Sequence, residues 1–116
     1  MTENKIKKVI SAFSESVKSI YGDKLSEIIL YGSCARGDYS QDSDIDILVL
    51  LNVAPGEIND ERSKLFDISD ELDLQYDVVL APVLQSIETY EKYMPVSSFY
   101  QNVHREGVKI AWIYTA

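Results

Sequence analysis

The strongest constraint on this chain is Asp44-Ile45-Asp46-Ile47-Leu48-Val49-Leu50-Leu51, an apolar, β-branched run with carboxylates at its threshold and one step inside. Such a run is apolar enough to be a buried strand. Side chains alternate faces along a strand, so Asp44 and Asp46 point to the same side. Two carboxylates held together at the start of a buried strand repel each other, and a divalent metal between them is the usual remedy. Upstream, Ile28–Tyr31 read as a short strand that Gly32-Ser33 then break. Glycine permits a sharp turn and close approach of a ligand to the backbone. Ser33 offers a hydroxyl, and a helical turn opening at Ala35-Arg36 would aim free N–H groups at the same place. Such a corner suits phosphate oxygens. Facing a metal-binding carboxylate pair, it points to metal-assisted phosphoryl or nucleotidyl transfer.

Around this centre the pattern predicts a small α/β (α+β) domain with a mixed β-sheet flanked by helices. Ile6, Val9, Ile10, Phe13, Val17, Ile20 and Tyr21 recur at helical spacing over Asn4–Tyr21, and Gly22 is the expected stop. Strands are expected over Leu25–Tyr31 and Ile45–Leu51. Pro55-Gly56 mark a loop, and a helix follows from Ile58 to Leu72. Its acids, Asp60, Glu61, Asp67, Asp70, Glu71 and Asp73, read as a solvated face. A third strand is predicted from Gln75 to Ala81, ended by Pro82, and it carries Asp77. A short helix over Ser86–Tyr93, a second capped by Ser97 or Ser98 and running to Glu106, and a last strand over Val108–Tyr114 complete the order.

With 116 residues the expectation is one domain spanning 1–116. No apolar stretch approaches the roughly 20 residues a membrane span needs. Met1–Lys8 carry no secretory signal, and a single cysteine fits a reducing cytoplasm. The net charge of −8, from 19 acidic against 11 basic residues, lacks the cationic surplus that binds polynucleotides. Direct nucleic-acid binding is therefore not expected, and a basic protein partner is more compatible.

Gly32-Ser33, ten intervening residues and Asp44-Ile45-Asp46 resemble the signature of the polymerase-beta-type nucleotidyltransferase superfamily. With Ala35-Arg36-Gly37 and Ser43 added, the string is similar to its smallest branch, the minimal nucleotidyltransferases. Arg105-Glu106-Gly107-Val108-Lys109-Ile110 resembles that family's closing segment. The resemblance implies that Asp44 and Asp46 hold two Mg²⁺ ions on a nucleoside triphosphate, ATP by family habit. It implies that Gly32 and Ser33 grip the β- and γ-phosphates. It makes Asp77 a third carboxylate beside Asp46, binding the catalytic metal and helping to activate the attacking hydroxyl. Arg36 is open between touching phosphate or partner and bracing the corner through Asp38 or Asp42. Ser43 is expected to steady the strand entry, and Cys34 sits at a variable position with no role. His104 reads as a surface residue, and Tyr90, Tyr93 and Tyr100 as packing. Relatives of this size resemble antitoxins of the HEPN/MNT kind, which move AMP from ATP onto a tyrosine of a HEPN-type ribonuclease toxin. Neutralisation by binding and occlusion without catalysis is an alternative. So is transfer to a small, aminoglycoside-like acceptor completed by a partner subunit.

Overall fold

Thr2 starts the first helix: its hydroxyl accepts from the Lys5 N–H at 3.1 Å, satisfying one donor that a helix start leaves open. Helix α1 then runs Glu3–Tyr21 and ends at Gly22, whose N–H donates to Lys18 O. The computed structural model describes residues 1–110. After α1 come β1 (Leu25–Tyr31), the single turn α2 (Ser33–Arg36), β2 (Ile45–Leu51) and α3 (Ile58–Tyr76). The chain continues through β3 (Leu80–Ser86), α4 (Ile87–Tyr93), α5 (Ser98–Glu106) and β4 (Val108–Lys109). The strands form one sheet in the order β3-β2-β1-β4. β2 and β3 are parallel, and β1 is antiparallel to β2 and β4, so the sheet is mixed as expected. α3 is the crossover that a parallel pair requires.

β2 is central, and its alternation divides the core. Ile45, Ile47, Val49 and Leu51 pack with Val9, Ile10, Phe13 and Val17 of α1 and Leu65, Ile68 and Leu72 of α3. Leu48 and Leu50 face the other way and pack with Ile29, Tyr90 of α4 and Val103 of α5. Asp44 and Asp46 share the parity of Leu48 and Leu50, so they continue that second stripe toward solvent. All of β2 except Asp46 is buried.

The chain departs from expectation between α3 and β3. The third strand, expected over Gln75–Ala81, instead runs Leu80–Ser86, because α3 continues to Tyr76. Tyr76 prolongs the helix's inward face and packs on the same core as Leu72. Asp77 follows in the left-handed conformation (φ 54°, ψ 55°), which Asp tolerates, and its N–H donates to Asp73 O. The Asp73 carboxylate accepts from the Leu80 N–H at 2.8 Å and turns the chain into β3. Pro82 lies inside β3 rather than ending it, because β3 is an edge strand and can leave one N–H position open. Nor is the acid face of α3 wholly solvated. Glu61 is buried, and its carboxylate accepts from Lys24 Nζ at 3.1 Å and Lys64 Nζ at 3.2 Å. At the other edge, Val108 and Lys109 pair with Leu30 and Ile29. Beyond Ile110, the expected last strand lies outside the described residues.

Candidate active site

The site is built where β1 ends. Gly32 takes φ 73°, ψ −155°, a region nearly closed to other residues, and turns the chain from β1 into α2. Ala35 and Arg36 N–H groups donate to Gly32 O at 3.1 and 3.0 Å, and Gly37 N–H donates to Ser33 O at 2.9 Å. The expected helical turn is present, but it opens at Ser33 and not at Ala35, and the Ala35 and Arg36 N–H groups close on Gly32 O.

Gly32 has a second reason to be glycine. A Cβ there would overlap Asp46 Oδ2 and stand 3.3 Å from Asp46 Cγ. The carboxylate of Asp46 therefore rests against the bare α-carbon of the corner. Tyr31 is the cross-strand partner of Asp46 on one side, and Ala81 is its partner on the other. Asp44, on the same face, is exposed, while Asp46 is half-buried. Burial pushes the Asp46 carboxyl above its ordinary range, Asp44 pushes it further, and Arg36 pulls it back. The Tyr31 phenol is pushed up to about 12 by burial and then by Asp46.

Arg36 Nε donates to Asp38 Oδ2 at 3.2 Å and its Nη1 to Glu106 Oε2 at 3.0 Å, so its ion-pair partners are Asp38 and Glu106 and not Asp42. Ser43 accepts from the Ser40 N–H at 2.8 Å, closing the turn that feeds β2, as expected. Cys34 donates weakly to Asp44 O at 3.7 Å. His104 is exposed on α5, and Tyr90 and Tyr100 pack edge to face at 5.1 Å in the second core.

Asp77 is not brought to the pair. The lateral position beside Asp46 belongs to Ala81, and Asp77 precedes β3 by three residues. It lines a shallow polar depression with Lys5, Gln41, Asp42 and Ser43. Among the described residues no three His, Cys, Asp or Glu side chains converge on a metal position. Asp44 and Asp46 nonetheless fit Mg²⁺, which takes one or two carboxylates and completes its octahedron with phosphate oxygens and water. Burial raises Asp46 most, and a cation would relieve the further push that comes from Asp44. Tyr31 and Glu106 were not singled out from the sequence, because cross-strand register and the approach of α5 bring them here.

The pattern defining the nucleotidyltransferase domain family matches residues 10–109. A protein of Methanocaldococcus jannaschii named "Putative protein adenylyltransferase MJ0141" is 34% identical over 102 residues, covering 88% of this chain and 95% of its own length. A second protein of that organism with the same kind of name, MJ0604, is 38% identical over 100 residues, 86% of this chain and 92% of the relative. Among solved structures, one called "Structure of putative minimal nucleotidyltransferase" superposes with TM-score 0.61 at 20% identity, covering 93% of this chain and 95% of that one. Another, a toxin–antitoxin with AMP-PNP, gives TM-score 0.51 at 23% identity over 94% of this chain and 72% of that one. At these identities the two structures speak for the fold. No helix among the described residues is long and apolar enough to cross a membrane.

Proposed function

The chain belongs to the nucleotidyltransferase domain family, and we propose that it transfers AMP from ATP, with Mg²⁺, to a tyrosine hydroxyl of a HEPN-type ribonuclease toxin. The observation that carries the reading is the contact between the Gly32 α-carbon and the Asp46 carboxylate. It sets the backbone turn that opens α2 against the carboxylate of Asp46. The relatives named as protein adenylyltransferases support a protein acceptor. The neighbour described as a toxin–antitoxin with AMP-PNP supports a toxin partner and an adenine nucleotide.

In this reading Asp44 and Asp46 hold the metal, up to two ions. When bound, the metal neutralises phosphate charge and polarises the α-phosphoryl group. The Ser33 hydroxyl and the N–H groups opening α2 receive phosphate oxygens. The bare α-carbon of Gly32 leaves room for the Asp46 carboxylate beside that corner. The acceptor hydroxyl oxygen forms a new bond to the α-phosphorus, roughly in line with the α–β bridging bond, and its proton passes to solvent water. That bridging bond breaks, and pyrophosphate leaves.

The test is intact mass of the candidate toxin after incubation with this protein, ATP and Mg²⁺. The expected result is a gain of one or more AMP units, abolished by Asp44→Asn with Asp46→Asn. Transfer that survives the double substitution refutes the site. One observation favours a second reading, neutralisation by occlusion: two carboxylates meet here and Asp77 does not join them. Occlusion predicts an inactive toxin of unchanged mass, with or without ATP and in the double variant alike.

A further inference from the structure

We infer that Glu106 is a positioning residue: through Arg36 it holds the four-residue α2, and with it the phosphate corner, against the end of β1. The inference rests on the nucleotide reading above. One turn of helix cannot stand by itself, since nucleation takes more backbone order than a few hydrogen bonds repay. α2 is flanked by Gly32 and by Gly37, which is left-handed at φ 89°, so its surroundings are turn rather than regular structure. Cys34 and Ala35 pack on the main core and hold the inner side of α2, and the outer side, at Arg36, needs a polar tie.

Two of its polar contacts are poor ties. The bond from Arg36 to Asp38 spans two residues of the same loop. The contact from Cys34 to Asp44 is a thiol donating at 3.7 Å. The bond from Arg36 Nη1 to Glu106 Oε2, at 3.0 Å, is different: it crosses 70 positions of sequence and reaches α5.

Glu106 is itself well fixed. It is the last residue of α5, and the Gly107 N–H donates to Val103 O at 2.7 Å. A Cβ on Gly107 would overlap both Val103 O and Ile29 Cγ2, so the chain leaves α5 pressed against β1. Val108 then pairs with Leu30. Glu106 is therefore anchored to the strand that ends in the corner, and Arg36 carries that anchorage to α2. With two carboxylates on its guanidinium, Arg36 serves as a brace rather than a free phosphate ligand.

A half-exposed ion pair contributes little to global stability. A positioning role therefore separates from a structural one by what it moves. The experiment compares Glu106→Gln and Glu106→Asp with the wild-type chain in three measurements: amide hydrogen exchange across residues 32–37 without nucleotide, Kd for ATP with Mg²⁺ by calorimetry, and KM and kcat for transfer. Glu106→Gln is expected to speed exchange in the corner and to weaken Kd and KM about tenfold, with kcat within about twofold and Tm nearly unchanged. Glu106→Asp, which keeps the charge, recovers part of the loss. Unchanged exchange and Kd in Glu106→Gln overturn the inference. So does a tighter Kd, which would make Glu106 a latch withholding Arg36 from phosphate. A wild-type chain that binds no ATP refutes the nucleotide reading instead, and the exchange comparison still decides the brace. Should Glu106→Gln fail to fold, Glu106→Asp and Arg36→Lys carry the same comparison.

Discussion

Gly32→Ala tests the contact on which the site reading depends. Two separate costs follow from the geometry. Alanine at φ 73°, ψ −155° is strained, at about 1–3 kcal/mol. The new Cβ also overlaps Asp46 Oδ2, and overpacking of this kind costs about 1–3 kcal/mol. The side chain of Asp46 can swing away to relieve the second cost but not the first. A total of about 3 kcal/mol, at roughly 4 °C per kcal/mol for a domain of this size, lowers Tm by about 12 °C. The chemistry suffers more than the fold. Whether Asp46 swings or α2 lifts, the corner and the carboxylate part by about 1 Å, which can cost about a hundredfold in rate. Transfer is measured well below the Tm of the variant, so that loss of folded protein is not read as loss of rate. Gly32→Ala with Asp46→Ala separates the terms: the overlap disappears, the backbone strain stays, and about half of the lost stability returns. A variant with Tm within about 2 °C of wild type and transfer within about twofold would refute the reasoning, since neither cost would then be real.

Three further outcomes are expected. Asp77→Asn should leave transfer within about threefold of wild type while Asp46→Asn loses about a hundredfold or more. Asn is at ease in the left-handed region, so the substitution isolates the charge, and equal losses would show that Asp77 joins the pair. The hydrogen bond from Lys24, assisted by Lys64 against the opposing effect of burial, holds the Glu61 carboxyl below its ordinary value. Its stabilisation is therefore fully present above the ordinary carboxylate pKa and lost as pH falls through the depressed one. Melts from neutral to acid pH should show Glu61→Gln converging on wild type at the acid end, and parallel curves would remove Glu61 from the account. Finally, Asp46→Asn should melt higher than wild type at neutral pH without metal, because it removes a half-buried charge facing Asp44; a lower Tm would show the pair is not repulsive.

The parts legible in the sequence are those decided by local patterns. α1, β1 and β2 fall where apolar period and glycine punctuation put them, and Gly32, Asp44 and Asp46 follow because parity along β2 is a local property. What was illegible depends on distant neighbours. Tyr76-Asp77-Val78-Val79-Leu80 is a fair strand on propensity. Packing of Tyr76 on the α1–α3 core and capture of the Leu80 N–H by Asp73 nevertheless delay β3 until Leu80. Pro82 misled as a terminator because whether a strand lies at the edge is a property of the sheet. Glu61 looked solvated among its acidic neighbours because Lys24 lies 37 positions away.

The same dependence explains why the site stands where it does. The second stripe runs Leu50, Leu48 and Asp46 on β2 and Asp44 just before it, and α4 and α5 cover its apolar half. The stripe turns from leucine to aspartate where that cover ends, so the carboxylates keep one side toward solvent and the other against buried backbone. Placed further along β2, the pair would be dry and forced to take up protons. Placed before the strand, it would lose the rigid spacing that the pleat imposes. Antiparallel pairing then brings the end of β1 to the same level, and only a residue without a side chain can follow Tyr31 under Asp46. The corner and the carboxylates are therefore set by one register, and a one-residue slip between β1 and β2 would separate them while turning the leucine stripe out of its core.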